Sequence, residues 1–253
     1  MSRKILIIVT SNARMGDSGK PTGLWLEELV IPYLAFTRTG MEVTIASPQG
    51  GPAPIDPNSI KTVGQNSPEI DQFLTDPDAN HQLRDTRRLS ELNAADFDGI
   101  FFPGGHGAMW DLPDNPDVVA IVNQAWAMGR VVGAVCHGPA GLIGATKEDG
   151  SALVEGLCVN AFTDSEERAS GLMDTVPFAL ESRLRELGAH FENGPDFTPY
   201  AVRDSRLVTG QNPQSSEQTA RLFLEALDEE LQKTNMHAPP ETAGSVSAAG
   251  FSG

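Results

Sequence analysis

Two short apolar runs narrow the folds open to this chain. Residues 5–10 read Ile-Leu-Ile-Ile-Val-Thr, and residues 131–135 read Val-Val-Gly-Ala-Val. Neither run alternates polar with apolar positions, so neither suits a strand with one face in water. A continuous β-branched run fits a strand covered on both faces, as in a parallel sheet between helices. After the first run comes a polar loop with Gly16 and Gly19. Then Leu24, Leu26, Leu29, Val30, Tyr33, Leu34 and Phe36 recur at roughly helical spacing over residues 23–39. Gly40 supplies a C-cap, and residues 41–46 form the next strand. This β–α–β opening predicts a right-handed crossover. Pro32 lies inside the helix and is expected to kink or divide it.

The alternation continues downstream. Strands are expected over residues 99–103, 131–135, 157–162, 189–192, 199–203 and 206–209, and helices over 118–128, 137–145, 176–187 and 214–232. The fold class is therefore α/β, a three-layer sandwich around a mostly parallel sheet. Residues 47–95 break the rhythm with Gly50, Gly51, Pro52, Pro54, Pro57, Gly64 and Pro68. An insertion of this length after a strand either caps a site or is plain surface. Residues 234–253 are rich in Ala, Gly, Ser and Pro, the composition of a flexible tail. The expected organisation is one domain over residues 1–233, with a cap-like insertion at about 47–95.

Charge excludes several roles. The chain carries 18 basic and 34 acidic residues, a net charge of -16. Such a surface repels phosphate backbones, so nucleic acid and anionic membranes are not expected partners. The apolar runs fall far below the ~18 residues a spanning helix needs. The five apolar residues after Met1-Ser2-Arg3-Lys4 are too few for a signal peptide, so a cytoplasmic location is expected. The two cysteines, Cys136 and Cys158, form no Cys-x-x-Cys motif. That argues against a zinc site, and a reducing compartment argues against a disulfide.

The chemistry concentrates in Val135-Cys136-His137-Gly138-Pro139-Ala140. An apolar strand runs straight into Cys136, and a helical segment follows. A residue at such a junction sits on a tight turn with its side chain presented at the sheet edge, the logic of a nucleophile elbow. A helix N-terminus favours thiolate, so a lowered thiol pKa is expected for Cys136. His137 follows directly and can reach the sulfur only because the turn bends; a carboxylate would fix its tautomer. Cys158 has no such context and reads as core. A second motif, Phe102-Pro103-Gly104-Gly105-His106-Gly107, ends another strand in a glycine-rich turn. Its backbone N–H groups, those of Gly105 and His106, can form an oxyanion hole with the N–H of Cys136 or His137. His106 reads as a ligand or, more simply, as a turn residue. Glu28, one turn before Pro32, could share a proton with a thiol; on the residues alone it reads as a surface carboxylate.

Taken together, residues 4–46 and 96–228 resemble the ThiJ/PfpI superfamily, which shares the flavodoxin-like, class I glutamine amidotransferase-like fold. The 47–95 insertion, Ala134-Val135-Cys136-His137-Gly138-Pro139-Ala140 and Gly210-Gln211-Asn212-Pro213 resemble one branch, that of heat-shock-31-type chaperones and glutathione-independent glyoxalases of the glyoxalase III type. The resemblance implies Cys136 as nucleophile, His137 as its partner and Glu28 as a protonated acid beside the thiol. Ala161-Phe162-Thr163-Asp164-Ser165-Glu166-Glu167 is similar to the stretch supplying the third triad member. It implies Glu167, with Glu166 as the alternative; the usual leading Gly is Ala161 here. The implied activity is conversion of methylglyoxal or a related 2-oxoaldehyde to a 2-hydroxy acid, with protein deglycation as an extension. No metal or other cofactor is implied, and a homodimer is. The alternatives are a stress-induced holdase, with Leu24, Trp25 and Trp110 as candidate patch residues, a thiol redox sensor, and an amidase, peptidase or isonitrile hydratase on the same thiol.

Overall fold

A computed structural model describes residues 2–237. Seven strands make one sheet: β1 (Lys4–Ile8), β2 (Glu42–Ser47), β3 (Arg87–Arg88), β4 (Gly99–Phe102), β5 (Val131–Val135), β8 (Ala201–Asp204) and β9 (Leu207–Gly210). Their order is β3-β2-β1-β4-β5-β9-β8. All neighbours pair in parallel except β8 and β9, which form an antiparallel hairpin at one edge. Chain order reverses between β1 and β4. Loops leaving the carboxyl ends of these strands diverge there and open a crevice, the usual ligand position in such sheets.

The two apolar runs are buried on both faces, as their sequence requires. One face of the sheet, through Ile5, Ile7, Phe101, Val131 and Val208, packs on α1 (Leu26–Arg38) and α8 (Ser216–His237). Phe36, Phe101 and Phe223 meet there with ring centroids 5.1–5.7 Å apart. Each ring contributes roughly 1.5–3 kcal/mol by burial. The other face, through Leu6, Ile8, Ile100, Phe102, Val132 and Ala134, packs on α5 (Pro116–Ala127), and α7 (Leu180–Glu186) contributes Leu180 and Leu184 to the same core. This is the expected three-layer α/β sandwich.

Several local expectations need correction. Pro32 does not divide its helix: α1 runs unbroken through it. The proline forfeits one bond, to the carbonyl of Glu28, while Leu29, Leu34 and Phe36 stay buried on the core side. The segment after Cys136 is not a helix to residue 145 but a 3-10 turn, Gly138–Leu142; two glycines and a proline in five residues disfavour a full α-helix. The expected strand at 157–162 shortens to β6 (Cys158–Val159), which pairs with β7 (His190–Phe191) outside the main sheet. Cys158 is half-buried rather than core. The final helix continues to His237, so residues 234–237 are helical; the rest of the expected tail, 238–253, lies outside the described residues.

Residues 47–95 contain α2 (Pro68–Thr75), α3 (Pro77–Arg84) and β3. Most of this stretch covers α1 and the β2 edge: Phe73 meets Tyr33 edge-on at 5.1 Å. One part approaches the crevice. Asp56 accepts a hydrogen bond from Thr22 Oγ1 at 3.0 Å, and Leu24 N–H donates to Pro54 O. No described helix is long and apolar enough to cross a membrane.

Candidate active site

Cys136 follows β5 at the carboxyl edge of the sheet with φ 59°, in the left-handed region that a side chain rarely adopts. Three contacts hold it there. Its N–H donates to Gly210 O, its C=O accepts from Phe162 N–H (both 2.9 Å), and Gly138 packs against the Phe102 carbonyl. A Cβ at Gly138 would lie 2.1 Å from that oxygen, so only glycine lets the chain turn away from the strand this closely. The bend brings adjacent side chains together: Cys136 Sγ lies 3.3 Å from His137 Nδ1.

His137 Nε2 lies 2.7 Å from Glu167 Oε2. Glu167 sits in the first turn of α6 (Asp164–Ala169), whose N-cap Thr163 forms a capping box with Glu166. Neighbouring positions on a helix point about 100° apart. Glu167 therefore faces the crevice, while Glu166 turns to Asn212 Nδ2 (2.8 Å) and Phe197 N–H (2.7 Å). The geometry links Glu167, not Glu166, to the histidine.

Glu28 is fully enclosed. Its Oε2 accepts from Gly104 N–H at 2.7 Å, while Oε1 finds no partner. The carboxyl and the Cys136 thiol interact at close range without a well-aligned hydrogen bond. Burial pushes the Glu28 carboxyl up to about 8. Burial, and then the Glu28 charge, push the Cys136 thiol up as well, against the pull of the Gly105 and His137 N–H groups. This corrects the expectation of a lowered thiol. The turn that follows is too short to offset the desolvation of the sulfur, and two buried acids side by side cannot both ionise. The pair is a proton-sharing unit. Both acids are held toward their protonated forms, and the pair gives up one proton rather than two; the Gly105 and His137 N–H groups favour the sulfur as the site of that charge.

The glycine turn after β4 differs from expectation in two respects. The Cys136 N–H is committed to Gly210 O, so it cannot serve as an oxyanion donor; the donors near the sulfur are Gly105 and His137. His106 keeps the expected turn position and contributes its side chain as well: its Nε2 lies 2.8 Å from Glu167 Oε1. Nothing in the local motif signals this, because the partner lies 61 residues away. Phe162 also lines the site. Its ring stands 4.6 Å from that of His137 and 6.1 Å from the exposed Phe197, giving one side of the site an aromatic wall.

Burial alone would raise Glu167, yet the bonds from His106 and His137 hold it down at about 2. His137 is lowered, first by burial and then by His106. His106, His137 and Glu167 each bring a ligand-type atom within 4.8 Å of the others. Two hydrogen bonds, both to Glu167, join the three groups.

A doubly wound sheet with a thiol on a strained turn at its carboxyl edge defines a class of cysteine-centred α/β proteins. The DJ-1/PfpI family model matches residues 22–153, and the chain belongs to that family. It is 34% identical over 234 residues to the glutathione-independent glyoxalase HSP31 of Saccharomyces cerevisiae, covering 89% of this chain and 98% of that protein. It is 34% identical over 244 residues to hsp3101 of Schizosaccharomyces pombe, also named a glutathione-independent glyoxalase, covering 91% and 98%. The solved glyoxalase III of Candida albicans superposes with a TM-score of 0.81 at 29% identity, covering 88% and 97%.

Proposed function

We propose that this protein is an enzyme of the glyoxalase III type that converts a small 2-oxoaldehyde such as methylglyoxal to the 2-hydroxy acid without glutathione. The observation that carries this reading is the chain Cys136 Sγ–His137 Nδ1 (3.3 Å), His137 Nε2–Glu167 Oε2 (2.7 Å). It is supported by the names of full-length relatives.

In the proposed reaction the Cys136 sulfur adds to the aldehyde carbon. A C–S bond forms, and the carbonyl oxygen takes a proton to give a hemithioacetal. Glu28 holds or returns the proton that the thiol gives up. His137 removes hydrogen as a proton from the former aldehyde carbon, leaving an enediolate. A proton returned to the neighbouring carbon gives a 2-hydroxy thioester. One carbon is oxidised as the next is reduced, so no external electron carrier is used. Water then attacks the thioester, breaks the C–S bond and releases the 2-hydroxy acid, while the thiol regains its proton. Overall, one water is added. Glu167 orients His137 and stabilises its transient imidazolium. The Gly105 and His137 N–H groups, which act on the sulfur, are the donors assigned here to the charge that develops on oxygen.

The test is lactate release from methylglyoxal in glutathione-free buffer, with Cys136→Ala in parallel. Lactate from the wild type alone is the expected result. Equal lactate from both proteins would remove Cys136 from the mechanism. No lactate from either would remove the substrate assignment.

A further inference from the structure

Glu167 faces two imidazoles at once. Its Oε2 lies 2.7 Å from His137 Nε2, and its Oε1 lies 2.8 Å from His106 Nε2. The two rings lie 4.1 Å apart, centroid to centroid, inclined at 41°. The proposed reaction uses His137 and Glu167 and leaves His106 without a task. We propose that His106 is a positioning residue that sets the charge state of His137: it carries the one positive charge that Glu167 can balance, and so keeps His137 neutral and able to accept a proton. This inference rests on the reading of Cys136 and His137 as the reacting pair.

One carboxylate balances one cation. Two imidazolium rings at this separation, in a site poor in water, would repel each other strongly. Solvent contact decides which ring takes the charge. The His106 side chain is 12% exposed and that of His137 is 1%. Charging the ring that reaches water costs less than charging the enclosed one. The direction of the hydrogen bonds agrees. With Nε2–H of His137 donating to Glu167, its Nδ1 presents a lone pair on the sulfur side, as the acceptor of a proton from the carbon bound to that sulfur must. An imidazolium in that position has no lone pair to offer.

The titratable groups around His137 act in known directions. Cys136 lies on its own turn, His106 comes from the turn after β4, Glu166 and Glu167 come from α6, and Glu28 from α1 acts on Cys136. Burial and then His106 favour neutral His137, while Glu167 and Glu166 favour the charged ring. Phe162 covers another side of both imidazoles, 4.6 Å from His137 and 6.1 Å from His106. It excludes water and adds no charge.

The experiment follows the titration of His137 by 15N NMR of the imidazoles; the chain has only five histidines, so assignment by substitution is direct. His106→Gln keeps a neutral donor for Glu167 Oε1 and removes the charge. His106→Arg keeps a permanent cation. The His137 midpoint is expected to rise by at least ~0.5 pH unit in His106→Gln and to fall back toward the wild type in His106→Arg. The acid limb of kcat/KM for methylglyoxal is expected to move in the same way. His106→Asn serves as a second neutral variant if the Gln form does not fold. An unchanged midpoint in the neutral variant, or an equal rise in the neutral and cationic variants, overturns the proposal. The NMR titration needs no substrate. If the midpoints move as stated but no lactate forms, the charge-setting role stands and the glyoxalase reading falls. If lactate forms and the midpoints do not move, the reverse holds.

Discussion

Glu28 shows how much one residue's surroundings decide. On the residues alone it is one of 34 acidic groups on an acidic chain; in the fold it is enclosed beside Cys136 with its carboxyl raised to about 8. The folded state therefore keeps a proton that the unfolded chain releases near its ordinary value of 4.5. The associated stability is fully present below that value and is lost as pH rises through about 8. Glu28→Gln removes this linkage and keeps an oxygen for the Gly104 N–H. Urea midpoints of wild type and variant are expected to converge at pH 5 and to separate by pH 8.5, with the variant the more stable by a few kcal/mol. Parallel curves would show that Glu28 does not titrate in this range. A second residue-scale prediction concerns Gly104. An added Cβ would lie 2.5 Å from His137 N, 2.7 Å from Val135 O and 2.8 Å from Glu28 Oε2. Two of these are backbone atoms that cannot step aside. Gly104→Ala is expected to cost about 1–3 kcal/mol and to displace the oxyanion side of the site, which a thermal melt and the lactate assay would register together.

At the scale of the element, the short helix α6 explains why part of the site was legible in the sequence and part was not. The resemblance points to residues 161–167 as a stretch and assigns no helix there; the structure starts α6 directly after Thr163. Which of two adjacent glutamates faces the histidine depends on how the helix is rotated against the sheet. That is set by contacts with residues far along the chain, so the motif could only rank Glu167 above Glu166. His106 was harder to read for the same reason: a turn motif predicts its backbone, and only the tertiary approach of α6 gives its side chain a partner. The two glutamates can be told apart by experiment. Glu166 accepts from Thr163, Phe197 and Asn212, and it holds Phe197 at φ 54°, an uncommon conformation for an aromatic residue. Glu166→Ala is expected to lower stability by about 2–4 kcal/mol, since several buried donors lose their acceptor, while the folded fraction retains most of its kcat. Glu167→Gln is expected to reduce kcat at least ~100-fold with a smaller change in melting. Identical behaviour of the two variants would contradict this division of labour.

At the scale of the whole molecule, the sheet and its two helical layers followed from the apolar runs, because a strand buried on both faces leaves few architectures open. The edges followed less well. The run at residue 157 has the composition of a strand, yet β9 occupies the place beside β5, and β6 pairs with β7 in a separate ribbon. Composition does not report which strand reaches a neighbour first. Net charge is likewise a property of the whole chain and of no single element. A charge of -16 is spread over a surface where ion pairs such as Arg3–Asp228, Arg221–Glu225 and Lys4–Glu42 are largely solvated, so each contributes little. The unbalanced acidic groups repel one another, and folding brings them closer together. Salt shortens the reach of that repulsion from about 30 Å at 0.01 M to about 8 Å at physiological ionic strength. The melting temperature at pH 8 is therefore expected to rise by several degrees between ~10 mM and ~300 mM NaCl, with the gain concentrated below ~150 mM. The Glu167–His106–His137 cluster is buried and screened far less, so the His137 titration midpoint is expected to move little over the same range. A melting temperature that falls with salt would mean that the surface pairs outweigh the net repulsion. A His137 midpoint that tracks the salt would mean that the cluster is open to bulk ions.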